Sequence, residues 1–196
     1  MSRPEPHQHC HACGAAYGDT SMYPRVCDAC GNMVWSNPIP VSVLLVPVQK
    51  GGRVGLLVIR RGIEPAVGKL ALVGGFLESD ETWQAGGARE VLEETGVEVD
   101  ADGVEAFWFC STEPSPNRVL LFGTVGEVDG DALEPFEPTS ETTARGVVFG
   151  PDDLEEVFAF PLHAHPRLFQ GARCPHDGAG PPPRGRARPP GRPAGR

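Results

Sequence analysis

The stretch "GGFLESDETWQAGGAREVLEETGVEV", Gly74 to Val99, decides how the chain folds. Three carboxylates, Glu90, Glu93 and Glu94, fall within five residues near the end of a segment with helical signals. Thr82 suits the N-cap, Trp83 to Thr95 is the helical run, and Gly96 stands where a chain leaves a helix in the left-handed conformation. At 100° per residue, Ala88, Val91, Leu92 and Thr95 share one face and the three glutamates fall roughly opposite. Glu90 and Glu94 are like-charge neighbours one turn apart. All three glutamates stand toward the negative end of the helix dipole, which costs roughly 0.3 kcal/mol each. Arg89 can neutralise only part of that charge. Two readings follow: a solvated acidic face, or a hard divalent cation, since Mg²⁺ takes a few carboxylate oxygens and keeps waters and substrate phosphates as its other ligands. Gly86 and Gly87 each cost about 1 kcal/mol relative to alanine inside a helix. They either permit close packing or are merely tolerated, and tolerance is the expectation.

Outward from this stretch, "VSVLLVPV" (Val41 to Val48) and "RVGLLVIR" (Arg53 to Arg60) flank "QKGG" and read as a hairpin of buried strands. The loop "RGIEPAVGK" leads to a short strand at Leu70 to Val73. Further strands are expected at Val104 to Cys110, Val119 to Val125 and Gly146 to Phe149, and "DDLEEVF", Asp152 to Phe158, reads as a short helix. This order fits an α/β sandwich with helices on a mixed sheet.

With 196 residues and 40% hydrophobic content, one well-buried domain plus an appendage is the default. Three segments are expected: residues 1–36, rich in Cys and His; 37–170, the α/β domain; and 171–196, a Pro/Gly/Arg-rich tail with almost nothing apolar to bury and therefore disordered. The tail holds six Arg and one Asp, leaving 11 basic against 25 acidic residues in the remainder, a charge of −14. That balance disfavours nucleic acid as a partner. The longest apolar run is far shorter than the roughly 20 residues of a spanning helix. The N-terminus has no apolar signal segment, so no membrane partner and a cytoplasmic location are expected.

Cys10, Cys13, Cys27 and Cys30 form two Cys-x-x-Cys pairs, "CHACG" and "CDACG", with thirteen residues between Cys13 and Cys27. This is the knuckle spacing of a zinc ribbon, in which four thiolates close a tetrahedral shell and leave the Zn²⁺ structural. His9 and His11 are either substitute ligands or exposed bystanders. Cys110 and Cys174 fit no site.

The spacing Gly75, five residues, Glu81, seven residues, Arg89-Glu90-Val91, one residue, Glu93-Glu94, one residue, Gly96-Val97 resembles the Nudix box at every defined position. It is far more specific than a lone glycine motif. The resemblance implies a Nudix-type α/β/α sandwich and hydrolysis of a diphosphate linked to a further group, usually a nucleoside diphosphate derivative, with Mg²⁺ or Mn²⁺. By the same resemblance Glu93 and Glu94 are metal ligands, and Glu90 is a ligand or the base that activates water. Glu81 and Arg89 form a bracing salt bridge, and the carbonyl near Gly74 and Gly75 completes the metal shell. Val73 stands where the family commonly has proline.

A zinc ribbon directly before such a domain, with "YPRVCDACG" (Tyr23 to Gly31), resembles the NADH pyrophosphatase branch. That branch's Ser-Gln-Pro-Trp-Pro-Phe-Pro signature is represented only by "STEPSPNR", Ser111 to Arg118, with no aromatic residue. Phe107, Trp108 and Phe109 either stack on a base or belong to the core. Arg60, Arg61 and Lys69 either meet phosphates or are solvated. Glu141, in "TSETTARG", is a further ligand or base in this reading.

The expected function is metal-dependent hydrolysis of a small nucleotide substrate such as NADH or ADP-ribose. A nucleotide-sensing module that binds without turnover is the alternative. Tethering of RNA by the ribbon and tail is a third reading, disfavoured by the charge. Homodimerisation is common in the family and stands as an option.

Overall fold

The computed structural model describes residues 8–112, 117–150 and 158–160. In chain order its elements are β1 (Arg25–Val26), β2 (Met33–Val34), β3 (Ile39–Leu45), β4 (Pro47–Lys50), β5 (Arg53–Arg61), β6 (Leu70–Ala71), β7 (Val73–Phe76), α1 (Trp83–Thr95), a 3-10 turn (Ala101–Gly103), β8 (Glu105–Ser111), β9 (Arg118–Thr124), β10 (Val128–Asp129) and β11 (Thr142–Val148). One sheet runs β10-β4-β5-β11 with β6 also beside β5, and a second runs β7-β3-β9-β8. Both are mixed, because β10 pairs parallel with β4 and β3 pairs parallel with β9 while their other pairings are antiparallel. The fold is α/β.

The apolar run from Val41 to Val48 is not one strand, as the sequence led us to expect, but two divided at Val46. The Leu45 carbonyl accepts from Val125 N–H at 3.3 Å, beyond the end of β9, while the Val46 carbonyl accepts from Leu57 N–H of β5 at 2.9 Å. Adjacent residues of a strand point to opposite faces. Val43, Leu45, Leu56, Val58, Leu72 and Phe122 accordingly enter one core cluster, and Leu44, Val46, Leu57, Ile59 and Val73 enter another together with Val91 of α1. Because both faces are covered, neither strand needs polar alternation. Phe158 is buried in the first cluster and bridges Leu70. The rest of the expected helix at Asp152 to Phe158, and the tail from Gly171, lie outside the described residues.

In the N-terminal segment β1 and β2 form a two-stranded hairpin, Arg25 opposite Val34 and Val26 opposite Met33. Its interior is built around a cation. Arg25 is 7% exposed, its guanidinium lying 4.1 Å from the Tyr23 ring centroid and 5.9 Å from that of Tyr17, and it donates to the Met22 and Thr20 carbonyls. Such a stack stands in for the aliphatic core that so short a segment cannot assemble. Among the described residues no helix is long and apolar enough to cross a membrane.

Candidate active site

The bounds of α1 are those read from the sequence. Thr82 Oγ1 accepts from Ala85 N–H at 3.2 Å, and Gly96, at φ 69°, donates its N–H to the Leu92 carbonyl at 2.8 Å. Its packed face is the expected one only in part: Val91 and Thr95 lie in it and Leu92 does not. Leu92 is 50% exposed, whereas Gly86, Gly87, Val91 and Thr95 are buried. A Cβ on Gly87 would lie 2.6 Å from Ser42 Oγ and 2.8 Å from Leu44 Cγ, and one on Gly86 would lie 2.6 Å from Leu77 Cδ2. The two glycines are therefore not merely tolerated. They let the helix close onto β3 and β7, and the buried stripe from Gly86 to Thr95 that results takes in Glu94, which falls about 20° from Gly87 rather than opposite it.

That rotation places two carboxylates against the sheet. Glu94 Oε2 accepts from Gly74 N–H at 3.0 Å. Burial pushes its carboxyl up to about 8, with the Gly74 N–H working in the other direction. The Glu90 carboxylate lies directly over Gly75, where any side chain would overlap it. Burial raises Glu90 too, opposed by its bond from Arg89.

Arg89 gathers the remaining acids. Its Nε and Nη2 reach Glu81 Oε2 and Oε1 at 3.1 and 2.9 Å, its Nη1 reaches Glu90 Oε1 at 2.9 Å and Glu93 Oε2 at 3.0 Å, and Nη2 also donates to the Phe76 carbonyl at 3.1 Å. Glu81 is held below the usual carboxylate range, chiefly by Arg89, and it also accepts from Glu78 N–H at 2.8 Å. The three glutamates thus share one end of one helix but face different donors: Glu90 and Glu93 turn to Arg89, and Glu94 to the strand.

Two residues outside the helix are felt here. Glu141, just before β11, raises both Glu90 and Glu94 by its charge, and Arg61, at the end of β5, lowers Glu94; both effects are smaller than burial. Arg61 also donates to the Pro65 carbonyl at 2.8 Å and lies 5.2 Å from the Phe160 ring centroid, while Arg60 donates to the Gly68 carbonyl at 2.6 Å. Both arginines tie down the loop before β6.

Trp108 is not brought to this cluster. It stands on β8, three strands from β7 and so about 14 Å away across the sheet. Its ring stacks on Phe122 at 5.3 Å between centroids, in the cluster on the face away from α1. Phe107 packs against the same cluster, and Phe109 is 73% exposed. A cavity of about 440 Å³, lined by Leu57, Leu133, Arg145 and Phe149 among others, includes none of the glutamates of the helix.

The four ribbon cysteines do converge. Their sulfurs all lie within 4.8 Å of one another, with Cys10–Cys30 at 3.7 Å and Cys13–Cys27 at 3.6 Å. A tetrahedral zinc with Zn–S bonds of about 2.3 Å holds its sulfurs about 3.8 Å apart, so the residues present fit the ion. Gly14 and Gly31, at φ 75° and 72°, donate to the Cys10 and Cys27 carbonyls and close the two equivalent knuckles. The Cys13 N–H holds the Cys10 thiol down to about 6, against its burial. His9 and His11 are exposed and outside this group, and Cys110 is half-buried on β8. Sequence reasoning passed over Arg25 and Arg145, for which an isolated arginine in a strand gives no signal.

The chain matches the family described as NUDIX domain over residues 38–169. It is 32% identical over 131 residues to the NAD-capped RNA hydrolase NudC of Deinococcus radiodurans, covering 65% of this chain and 44% of that one. It is 37% identical over 119 residues to a MutT-like protein of Streptomyces ambofaciens, covering 61% of this chain and 69% of that one. It thus spans less than half the length of the first relative and about two thirds of the second. A crystal structure of a NUDIX hydrolase from Nitrosomonas europaea superposes with a TM-score of 0.59 at 23% identity, over 81% of this chain and 87% of that one, a likeness of fold. The box read from the sequence and the domain match over residues 38–169 lead to one statement: the chain belongs to the NUDIX domain family.

Proposed function

We propose that the chain hydrolyses a nucleoside-diphosphate-linked small molecule, of the NADH or ADP-ribose kind, at its pyrophosphate, using Mg²⁺ or Mn²⁺. A structural Zn²⁺ sits in the ribbon, and the chain divides into residues 1–36, 37–170 and 171–196. The observation that carries this reading is that Glu90 and Glu94 lie half-buried against β7 with too little positive charge. Arg89 serves Glu81, Glu90 and Glu93, while Glu94 has one backbone N–H and the more distant Arg61. Half-buried carboxylates that offer hard oxygen donors only, set beside Gly74 and Gly75 of β7, fit a divalent cation of this class. When bound, such a cation neutralises the diphosphate and polarises its P–O bonds.

The chain's own residues do the rest. Glu90, oriented by Arg89 over Gly75, holds and accepts the proton of the attacking water, which approaches phosphorus in line with the leaving group. Glu93 and Glu94 supply ligand oxygens, and Glu141, whose charge is felt by Glu90 and Glu94, is a further ligand or base. Glu81 braces Arg89. Arg61 offers its charge to a substrate phosphate. Trp108, on the far face of the sheet, is given no substrate contact.

The test is incubation of the full chain with Mg²⁺ or Mn²⁺ and a panel comprising NADH, ADP-ribose, nucleotide sugars, nucleoside triphosphates and an NAD-capped oligonucleotide, with products identified by mass spectrometry. Cleavage of a dinucleotide or nucleotide sugar into two phosphate-terminated products is expected, and Glu93→Gln or Glu94→Gln should lower its rate by about 100-fold or more. Tight binding with no products would replace the enzyme by the nucleotide-sensing module.

A further inference from the structure

We propose that Arg145, on β11, is a positioning residue for the carboxylate helix, holding the end of α1 that carries Glu93 and Glu94 at a fixed distance from Arg61 on β5 and Glu141 just before β11. This rests on the proposed function in that those carboxylates are taken as the working groups. Three of the last six residues of α1 are glutamates, and the last turn contains no basic residue. The helix cannot satisfy its own final carbonyls. Gly96 N–H serves that of Leu92, and the Thr95 hydroxyl donates to that of Val91 at 2.5 Å. The Thr95 carbonyl is served from outside, by Arg145 Nη1 at 2.7 Å. Arg145 Nη2 donates to the Glu134 carbonyl at 2.5 Å, and the guanidinium lies 5.6 Å from the Phe136 ring centroid.

One cation therefore joins the helix end, the connection between β10 and β11, and β11 itself. Its charge opposes the negative pole of the helix where the glutamates reinforce that pole. Its planar fork spans two carbonyls, which a lysine cannot do. The same strand carries the span outward: Arg145 pairs with Ile59 and Thr142 with Arg61, beside Glu141. Arg145 also lines the cavity of about 440 Å³, beside Glu134 whose carbonyl it serves.

The experiment compares wild type, Arg145→Gln and Arg145→Lys in the full chain by amide hydrogen exchange, Mn²⁺ binding followed by electron paramagnetic resonance, and steady-state kinetics. In Arg145→Gln, amides 93–97 should exchange about 10-fold faster, and Mn²⁺ affinity should fall about 10-fold, the usual scale for a group that supports metal ligands. The kcat at saturating Mn²⁺ should stay within about 2-fold, because the groups that touch substrate remain. Arg145→Lys should lie between the two. A folded Arg145→Gln with wild-type exchange at amides 93–97, or with wild-type Mn²⁺ affinity, overturns the proposal. If Arg145→Gln does not fold, Arg145→Lys decides: intermediate exchange and affinity support the proposal, and wild-type values overturn it. If wild type takes up no Mn²⁺, the proposed function falls, and exchange at amides 93–97 alone decides whether Arg145 holds the helix end.

Discussion

Half-buried in the packed face of α1, Glu94 accepts the Gly74 N–H, and desolvation raises its carboxyl to about 8. The unfolded chain gives up that proton near the ordinary carboxylate value, so between the two values the folded state binds the extra proton. The stability this contributes is fully present below the unfolded value and is lost as pH rises toward 8. Melting curves recorded with a chelator present should show a falling Tm from about pH 5 to about pH 8, and the slope should flatten in Glu94→Gln. Cation uptake must displace the same proton, so Mg²⁺ or Mn²⁺ affinity should climb through that window. Gly87 is a second residue where two effects compete. Alanine would gain about 1 kcal/mol in helix propensity. Its Cβ would lie 2.6 Å from Ser42 Oγ and 2.8 Å from Leu44 Cγ, an overpacking worth about 1–3 kcal/mol, so Gly87→Ala should lower the denaturant midpoint.

Helix ends were readable because their signals are local. Thr82 and Gly96 act on their own backbone neighbours, and α1 begins and ends where they indicate. Thr82→Ala should cost about 1 kcal/mol of stability in denaturant unfolding. It should leave Mn²⁺ affinity unchanged, since the carboxylates of Glu90, Glu93 and Glu94 sit about two to three turns away. The packed face was harder to read, because two glycines carry no hydrophobic signal and Glu94 is a charged residue inside the stripe. β11 begins at Thr142 rather than at the expected Gly146: its first residues pair with Arg61 and Arg60, whose polar side chains hide the strand. The approach of Glu141 and Arg61 to the glutamates of α1 depends on pairing across some 80 residues of chain, which no local pattern encodes. The cysteines needed no such context, since their spacing alone marks the knuckles.

Across the whole molecule, two segments cohere by different means. The body has two apolar clusters on either side of its strands, whereas the ribbon has four sulfurs and an arginine between two tyrosines. Atomic emission should find about one zinc per chain, lost in Cys27→Ser. Chelation should remove the tyrosine near-ultraviolet dichroism while the main melting transition of the body persists. Within the body, the polypeptide crosses from one sheet to the other at Val46 with no intervening loop, one carbonyl tied to each side. A seam sewn with one continuous thread keeps either piece from pulling free alone, and under mechanical load applied at residues 39 and 148 the two sheets should rip in a single force peak.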